Sequence, residues 1–104
     1  MIVTTMESLP QKEITEVLGI ARGSTVRTRN IVKDISAVIR HIIGGELVEY
    51  TQLQANAREQ ALERMKDDAA KLGADAIVNV RISTSMISAG AAEILMYGTA
   101  VKLQ

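Results

Sequence analysis

The chain has 104 residues, 47% of them hydrophobic and 23% charged, and its 12 basic side chains balance its 12 acidic ones. This composition is typical of a globular protein, and the length predicts a single domain over residues 1–104. Because cysteine is absent, disulfides and thiolate metal ligands are excluded, and the balanced charge argues against a protein that binds nucleic acid.

Aromatic residues are scarce, since phenylalanine and tryptophan are absent and only Tyr50 and Tyr97 remain. The core therefore has to be built from Ile, Val, Leu, Ala and Met. The sequence contains no run of 18 apolar residues, the length needed to span a membrane, and residues 1–7 do not resemble a signal peptide. We therefore expect a cytoplasmic protein without membrane contacts.

Two β-prone segments open the chain. The first covers Ile2 to Thr5 and is separated from the second by Ser8-Leu9-Pro10, in which Pro10 lacks a main-chain N–H. The second runs from Glu13 to about Val26, and its mixed apolar pattern predicts a strand that is partly covered on both faces. Its glycines, Gly19 and Gly23, are typical of bulges or of a bend.

Two helices are predicted next. The first follows Asn30 as N-cap and ends at Gly44 and Gly45, with Ile and Val residues recurring at helical spacing between them. The second runs from about Glu49 to Leu72 without glycine or proline, and Gly73 is suited to end it. Its apolar stripe consists of Tyr50, Leu53, Ala57, Ala61, Met65, Ala69 and Leu72.

Two strands close the chain, from Ala76 to Met86 and from Glu93 to Leu103, joined by a loop of small residues at 88–91. Gly98 inside the last strand predicts a close approach by another group. The element order β, β, α, α, β, β predicts a two-layer α+β fold with an antiparallel hairpin. The residues expected on the buried face of the first of these strands are Ala76, Val78, Val80 and Ile82.

Several segments, in a fixed order along the whole chain, resemble those of one known protein family. The strongest similarities are Leu72-Gly73-Ala74-Asp75-Ala76-Ile77-Val78 and Gly98-Thr99-Ala100-Val101-Lys102. Further similarities are Ile2-Val3-Thr4-Thr5, Asn30-Ile31-Val32-Lys33-Asp34, and Ile39-Arg40 followed by Ile42-Ile43-Gly44-Gly45. The family that these segments resemble is the YbjQ-like family, which consists of small proteins that are labelled heavy-metal-binding and whose molecular function is unassigned.

The resemblance implies a two-layer, dodecin-like subunit in which an antiparallel sheet packs on a long helix, assembled as a homopentameric ring. The sequence agrees with self-association, because it carries more apolar residues than a two-layer subunit can cover. The candidates for burial between subunits are Ile14 to Ile20, Ile77, Leu95 and Tyr97.

Three departures from the family pattern stand out. Glu46 follows the Gly-Gly pair where the family usually has arginine, and Val48 stands where it usually has glycine. The later strand carries basic or neutral residues where the family often has acidic ones. These residues are Arg81, Ser83, Thr84 and Ser85. We therefore expect any site formed at those positions to be altered or lost here.

Metal ligands are few in this sequence. A soft metal prefers thiolate, thioether or imidazole ligands, and His41 is the one histidine, so we predict no metal site and no cofactor. A ring that gathers His41 from each subunit is the alternative. The carboxylate row Glu59, Glu63 and Asp67 suits a hard cation, but a solvated helix face is the simpler interpretation. Its compensating pairs would be Glu63–Lys66, Arg64–Asp68 and Asp67–Lys71.

No nucleophile motif or metalloprotease motif is present, and His41 lies two helical turns from Asp34, too far for a hydrogen bond within one helix. We therefore predict that the protein is not an enzyme and has no catalytic residues. The functional hypothesis is a homo-oligomeric binding protein that holds a small anionic ligand or ion between subunits. The alternatives are an assembly module that presents a protein-binding surface, or a heavy-metal-binding protein as the family label suggests.

The candidate ligand site lies around the predicted helix–helix connection. Residues 21–40 carry a local cationic surplus, glycines allow a backbone to approach a ligand, and Arg40 offers a forked donor for an anion. Helix caps and turns demand the same Asn and Gly residues, so a purely structural role is the competing interpretation. The predicted ligand-binding residues are Asn30, Asp34, Arg40, Gly44, Gly45 and Tyr50.

Overall fold

A computed structural model describes residues 1–28, 46–88 and 90–104, and gives the backbone alone for residue 28 and for residues 46–54. These ranges contain four strands and one helix. They are β1 (Ile2–Val3), β2 (Ile14–Thr28), α1 (Glu46–Lys71), β3 (Ala76–Ser88) and β4 (Ala91–Leu103). The predicted bounds Ile2, Ala76 and Leu103 agree with these, and the other predicted bounds differ by one to three residues. The helix predicted between Asn30 and Gly44 lies outside the described residues.

The strands form one sheet in the order β1-β3-β4-β2. β4 is central and pairs antiparallel with β3 on one side and β2 on the other, as expected for a hairpin and its neighbour. β1 pairs parallel with the start of β3, so the sheet is mixed rather than wholly antiparallel. α1 packs mainly over β2 and β4, which confirms the two-layer α+β class.

The helix–sheet core is built mostly from small residues. Ala57, Ala61, Met65 and Ala69 on α1 are fully buried, which confirms the central part of the predicted stripe. Leu72, at the end of that stripe, is 40% exposed because α1 ends at Lys71. The residues that meet the helix from the sheet are Ala21, Ile77, Val80, Ile94 and Ala100.

Gly73 ends α1 as predicted. Its φ of 80° lies in the left-handed region, and its amide donates to the Ala70 carbonyl across 3.0 Å. The Ala74 amide donates to the Ala69 carbonyl across 3.1 Å, which is the hydrogen bond that spans more residues in a Schellman motif. The chain then enters β3 beside Asp75, whose carboxylate accepts a hydrogen bond from the Leu103 amide.

Close approach explains Gly23 and Gly98. A Cβ at Gly23 would overlap the α1 backbone at Ala61, Arg64 and Met65, so this glycine is a contact for the helix rather than a bend. A Cβ at Gly98 would lie 2.7 Å from a methyl group of Ile77, which confirms the predicted close approach. Gly19, with a φ of 133°, lies at a shift of the β2–β4 register, as a bulge requires.

The expected alternation of β3 is wrong beyond Val78, and the reason is a bulge. Asn79 has a φ of 55°, and the β3–β4 register shifts between Val78 and Arg81. Val80 therefore faces the helix, whereas Val78 packs on the opposite side of the sheet. Ile77 is fully buried within the subunit, so it is not available for burial between subunits, and Ile82 is 49% exposed.

Candidate functional site

The predicted ligand-binding residues fall outside what the structure describes in side-chain detail. Tyr50 lies in the first turns of α1, where the backbone alone is described. The other five lie beyond the described ranges, so this site stays a prediction from sequence. These five are Asn30, Asp34, Arg40, Gly44 and Gly45.

The sheet face turned away from α1, called the outer face below, carries side chains that the subunit leaves uncovered. Ala21, Gly23 and Thr25 on β2 face the helix, so the alternate residues between them face outward. On this face Val17 is 66% exposed, Ile20 68% and Val26 50%. The predicted partial cover of β2 on both faces holds at Ile14, which packs with Leu9, but within one subunit it does not extend to these three positions. Tyr97 on β4, also on the outer face, is 39% exposed.

A row of polar side chains crosses the outer face at Tyr97. Its direct cross-strand neighbours are Arg22 on β2 and Arg81 on β3. Directly opposed residues in a sheet have Cβ atoms about 5 Å apart, so both arginines begin beside the phenol ring. Nη1 of Arg81 donates to the carbonyls of Val80 at 2.8 Å and Thr5 at 3.1 Å. The row thus sets one arginine on each side of a single tyrosine in the strand register.

Sequence reasoning did not find this row, because its members are far apart along the chain. The only local signal is the alternation within each strand, which places Arg22 on the same face as Ile20, and Tyr97 on the same face as Leu95. The register that sets Tyr97 between the arginines arises from pairing of β4 with both neighbours.

The free edge of β2 is closed by side chains from α1. The Arg22 amide donates to Asp68 Oδ2 across 3.0 Å, and Arg64 Nη1 donates to the Ser24 carbonyl across 2.6 Å. One turn earlier, Arg27 Nη2 donates to Gln60 Oε1 across 3.1 Å. Arg64 and Asp68, predicted to form a helical ion pair, therefore make hydrogen bonds to the strand.

The carboxylate row on α1 lies in solvent. Glu59, Glu63 and Asp67 are all exposed, and Lys66 Nζ lies 3.6 Å from Glu63 Oε1, which confirms that predicted pair. Within the described ranges, no three side chains of His, Cys, Asp and Glu converge as a metal site would require. This face has the geometry of a solvated, charge-patterned helix surface.

A shallow depression of about 540 Å³ lies between the segment from Ser8 to Ile14 and Gln104. It opens widely to solvent, and the residues from Glu7 to Glu13 are exposed apart from Leu9, which is half-buried. Leu9 and Ile14 pack there against Ala76, Val78 and Val101. The depression is the outer rim of this small apolar cluster.

In the part of the chain that the structure describes, no helix has both the length and the apolar character needed to cross a membrane. A family model described as "Putative heavy-metal-binding" matches residues 1–104.

Whole-length relatives share half or more of the residues. A UPF0145 protein of Methanosarcina acetivorans is 55% identical over 99% of this chain and 97% of its own length. UPF0145 proteins of Archaeoglobus fulgidus and Thermosipho africanus are 54% and 50% identical, each over 100% of this chain and 96% of their own length.

A solved structure shares the fold. It is the crystal structure of a protein of unknown function from Pediococcus pentosaceus that belongs to the DUF74 family. The TM-score is 0.65 at 15% identity, over 100% of this chain and 98% of that one. The family match, the identity with UPF0145 proteins and the matching segments along the sequence agree, and the chain belongs to the YbjQ-like family.

Proposed function

We propose that the protein is a homo-oligomeric, non-enzymatic binding protein whose subunits meet through the outer face. The observation that carries this proposal is that small apolar side chains fill much of the core while several larger ones lie on the surface. Alanines fill much of the core, whereas Val17, Ile20 and Val26 lie 50–68% exposed on one face. Exposed apolar side chains that share a surface are typical of a protein–protein contact.

The energetic gain favours association. Complete burial of a fully exposed Val or Ile side chain contributes about 1.5–3 kcal/mol, so side chains that start 50–68% exposed gain about half of that each, and each copy would bring several of them to the contact. Tyr97 adds an amphipathic ring of the kind that is enriched at interfaces. A ring of five subunits is the assembly that the family resemblance implies, and we adopt it as the proposed stoichiometry. A cytoplasmic location remains part of the proposal.

The ligand that we propose is a small anion or ion held where subunits meet. Two features support an anion. Arg22 and Arg81 flank Tyr97 on the outer face, and the sequence adds a cationic surplus in residues 21–40. The predicted contacts remain Arg40 with Asn30, Asp34, Gly44, Gly45 and Tyr50. The alternatives are an assembly module that presents a protein-binding surface, and the heavy-metal binding that the family description suggests.

Oligomerisation is tested by light scattering at micromolar concentration. We expect the wild-type mass to be a multiple of the 11.3 kDa subunit, five-fold for a single ring, and Ile20→Asp to shift the protein to smaller species. Asn56→Asp is the matched control, because it adds the same charge on the exposed side of α1. A monomeric wild-type protein would refute the proposal.

Ligand binding is tested by native mass spectrometry before and after denaturation. A co-purified mass that leaves on unfolding supports a binding protein, and a bare oligomer favours the assembly module. Arg40→Ala should remove the ligand while the oligomer and its Tm stay nearly unchanged, with Tyr50→Phe as the conservative companion. Dissociation of the ring by both substitutions would assign these residues an architectural role instead.

A further inference from the structure

We infer that the free edge of β3, from Ile82 to Met86, pairs antiparallel with the same segment of a second copy of the chain. This contact differs from the outer face, because it uses main-chain groups at the rim of the sheet rather than side chains across it. It extends two four-stranded sheets into one continuous sheet through a two-fold axis.

The edge is open within the described ranges. β1 pairs only with Ala76 and Ile77 of β3. Beyond them, the last main-chain hydrogen bond that β3 makes along this edge joins the Val80 amide to the Thr4 carbonyl across 3.0 Å. Every residue from Arg81 to Ser88 is exposed. Because backbone direction alternates along a strand, the N–H and C=O groups of Ile82, Thr84 and Met86 point the same way as those of Val80, toward the free edge.

The two edges of the sheet are treated differently by the rest of the fold. On β2, Asp68 and Arg64 occupy the amide of Arg22 and the carbonyl of Ser24. Soluble proteins usually blunt an edge with charge, proline, a bulge or a cover, because an open edge is a template for another strand. From Ile82 to Met86 there is no charge, no proline and no glycine, and the register shifts only after Met86.

The segment is self-complementary, which selects a second copy as its occupant. When Thr84 lies opposite Thr84 of the second copy, Ile82 lies opposite Met86 and Ser83 opposite Ser85. The Thr84 pair and the two Ile82–Met86 pairs place open-edge main-chain groups directly opposite one another, so each of these pairs can exchange two hydrogen bonds, whereas the main-chain groups of Ser83 and Ser85 point toward β4. Ile82, 49% exposed, and Met86, 79% exposed, then form one apolar cluster with their counterparts on the helix side of the sheet. No like charges face each other across the pair.

The contact is independent of the ring. If the outer face forms a ring of five, edge pairing joins two rings and doubles the mass of the assembly. If the outer face forms no contact, edge pairing gives a dimer. The experiment therefore has to read the edge directly rather than the total mass alone.

Single-cysteine cross-linking reads it directly, since the natural chain contains no cysteine. In the proposed register the Thr84 Cα atoms are about 5.5 Å apart, within the usual range for a disulfide. Thr84→Cys should therefore form a covalent dimer with oxidised glutathione. Ile82→Cys is the matched control, because its two copies lie about 14 Å apart.

Mixing Ile82→Cys with Met86→Cys should restore the cross-link that Ile82→Cys alone does not form. The inference is overturned if Thr84→Cys stays uncoupled, or if Ile82→Cys alone couples equally well. Thr84→Cys combined with Ile20→Asp should still cross-link, so that loss of the outer-face contact and loss of the edge contact give different results.

Thr84→Pro supplies a second measurement. The Thr84 N–H points to the free edge, so a proline at this position removes a hydrogen bond to the second copy and leaves the hydrogen bonds between β3 and β4 intact. We expect half the wild-type mass by sedimentation velocity with unchanged far-UV circular dichroism, and wild-type mass for Thr84→Val. A wild-type mass for a folded Thr84→Pro protein would overturn the inference, and the cysteine variants decide it if Thr84→Pro does not fold.

Discussion

The main-chain N–H of Arg22, on the edge strand β2, donates a hydrogen bond to the Asp68 carboxylate on α1 across 3.0 Å. One helical turn away, Arg64 donates to the Ser24 carbonyl across 2.6 Å. The spacing of four residues on the helix thus matches two residues on the strand, because a helical turn and a strand dipeptide have similar lengths. The helix both covers the sheet and terminates its hydrogen-bonding edge.

We predict that Asp68→Ala destabilises the fold by about 1 kcal/mol, because the Arg22 amide loses an ionised acceptor in a partly exposed site. Asp68→Asn should cost less, since its side-chain oxygen can still accept the bond. The measurement is the urea midpoint at one fixed protein concentration. A midpoint for Asp68→Ala equal to that of the wild type would show that the bond contributes nothing to stability.

Gly23→Ala should be among the most damaging small substitutions in the chain. The added Cβ would meet α1 backbone atoms, which cannot move without shifting the helix, and overpacking of this kind costs about 1–3 kcal/mol or more. Gly98→Ala should cost less, because two of its three nearest atoms are methyl groups of Ile77 and Val80. Ser24→Ala on the opposite face is the control, and thermal unfolding of all three ranks them. Equal Tm values for Gly23→Ala and Ser24→Ala would contradict the helix contact.

Met65 and Met6 form a matched pair of one buried and one exposed methionine. Met65 is fully buried between α1 and the sheet, whereas Met6 is 51% exposed. We expect Met65→Ala to lower the free energy of unfolding by about 2–5 kcal/mol through lost burial and the cavity left behind. Met6→Ala should change the free energy of unfolding by less than about 1 kcal/mol. Chemical denaturation of both variants checks this, and a similar loss in each would place the core wrongly.

Titration with Zn²⁺ or Cu²⁺ tests the family description of heavy-metal binding. We predict no tight stoichiometric site, because the chain has no cysteine and one histidine, and soft metals favour those ligands. Isothermal calorimetry on the apo protein gives the measurement. A tight site that His41→Ala abolishes would instead assign metal binding to residues around His41, contributed by several subunits.

Part of the architecture follows from local pattern. The helical period alone predicts a buried stripe from the repeat of Ala57, Ala61, Met65 and Ala69. The helix end is predicted by Gly73, because glycine adopts a positive φ freely. The pairing of β3 with β4 likewise follows from two strands joined by a short loop. The predicted ligand site was located from the same kind of local pattern, in the segment from Asn30 to Tyr50.

The sequence by itself determined the order of the described elements, the α+β class and the family, because each depends on residues close together in the chain. Only the tertiary structure decided which β3 residues are buried, since the bulge at Asn79 arises from pairing with β4 and reverses the alternation after Val78. It also decided the partners of Asp68 and Arg64. Helical spacing favours an ion pair between these two side chains. They hydrogen-bond the main chain of β2 instead, because the N–H and C=O groups of an edge strand have no strand partner on that side.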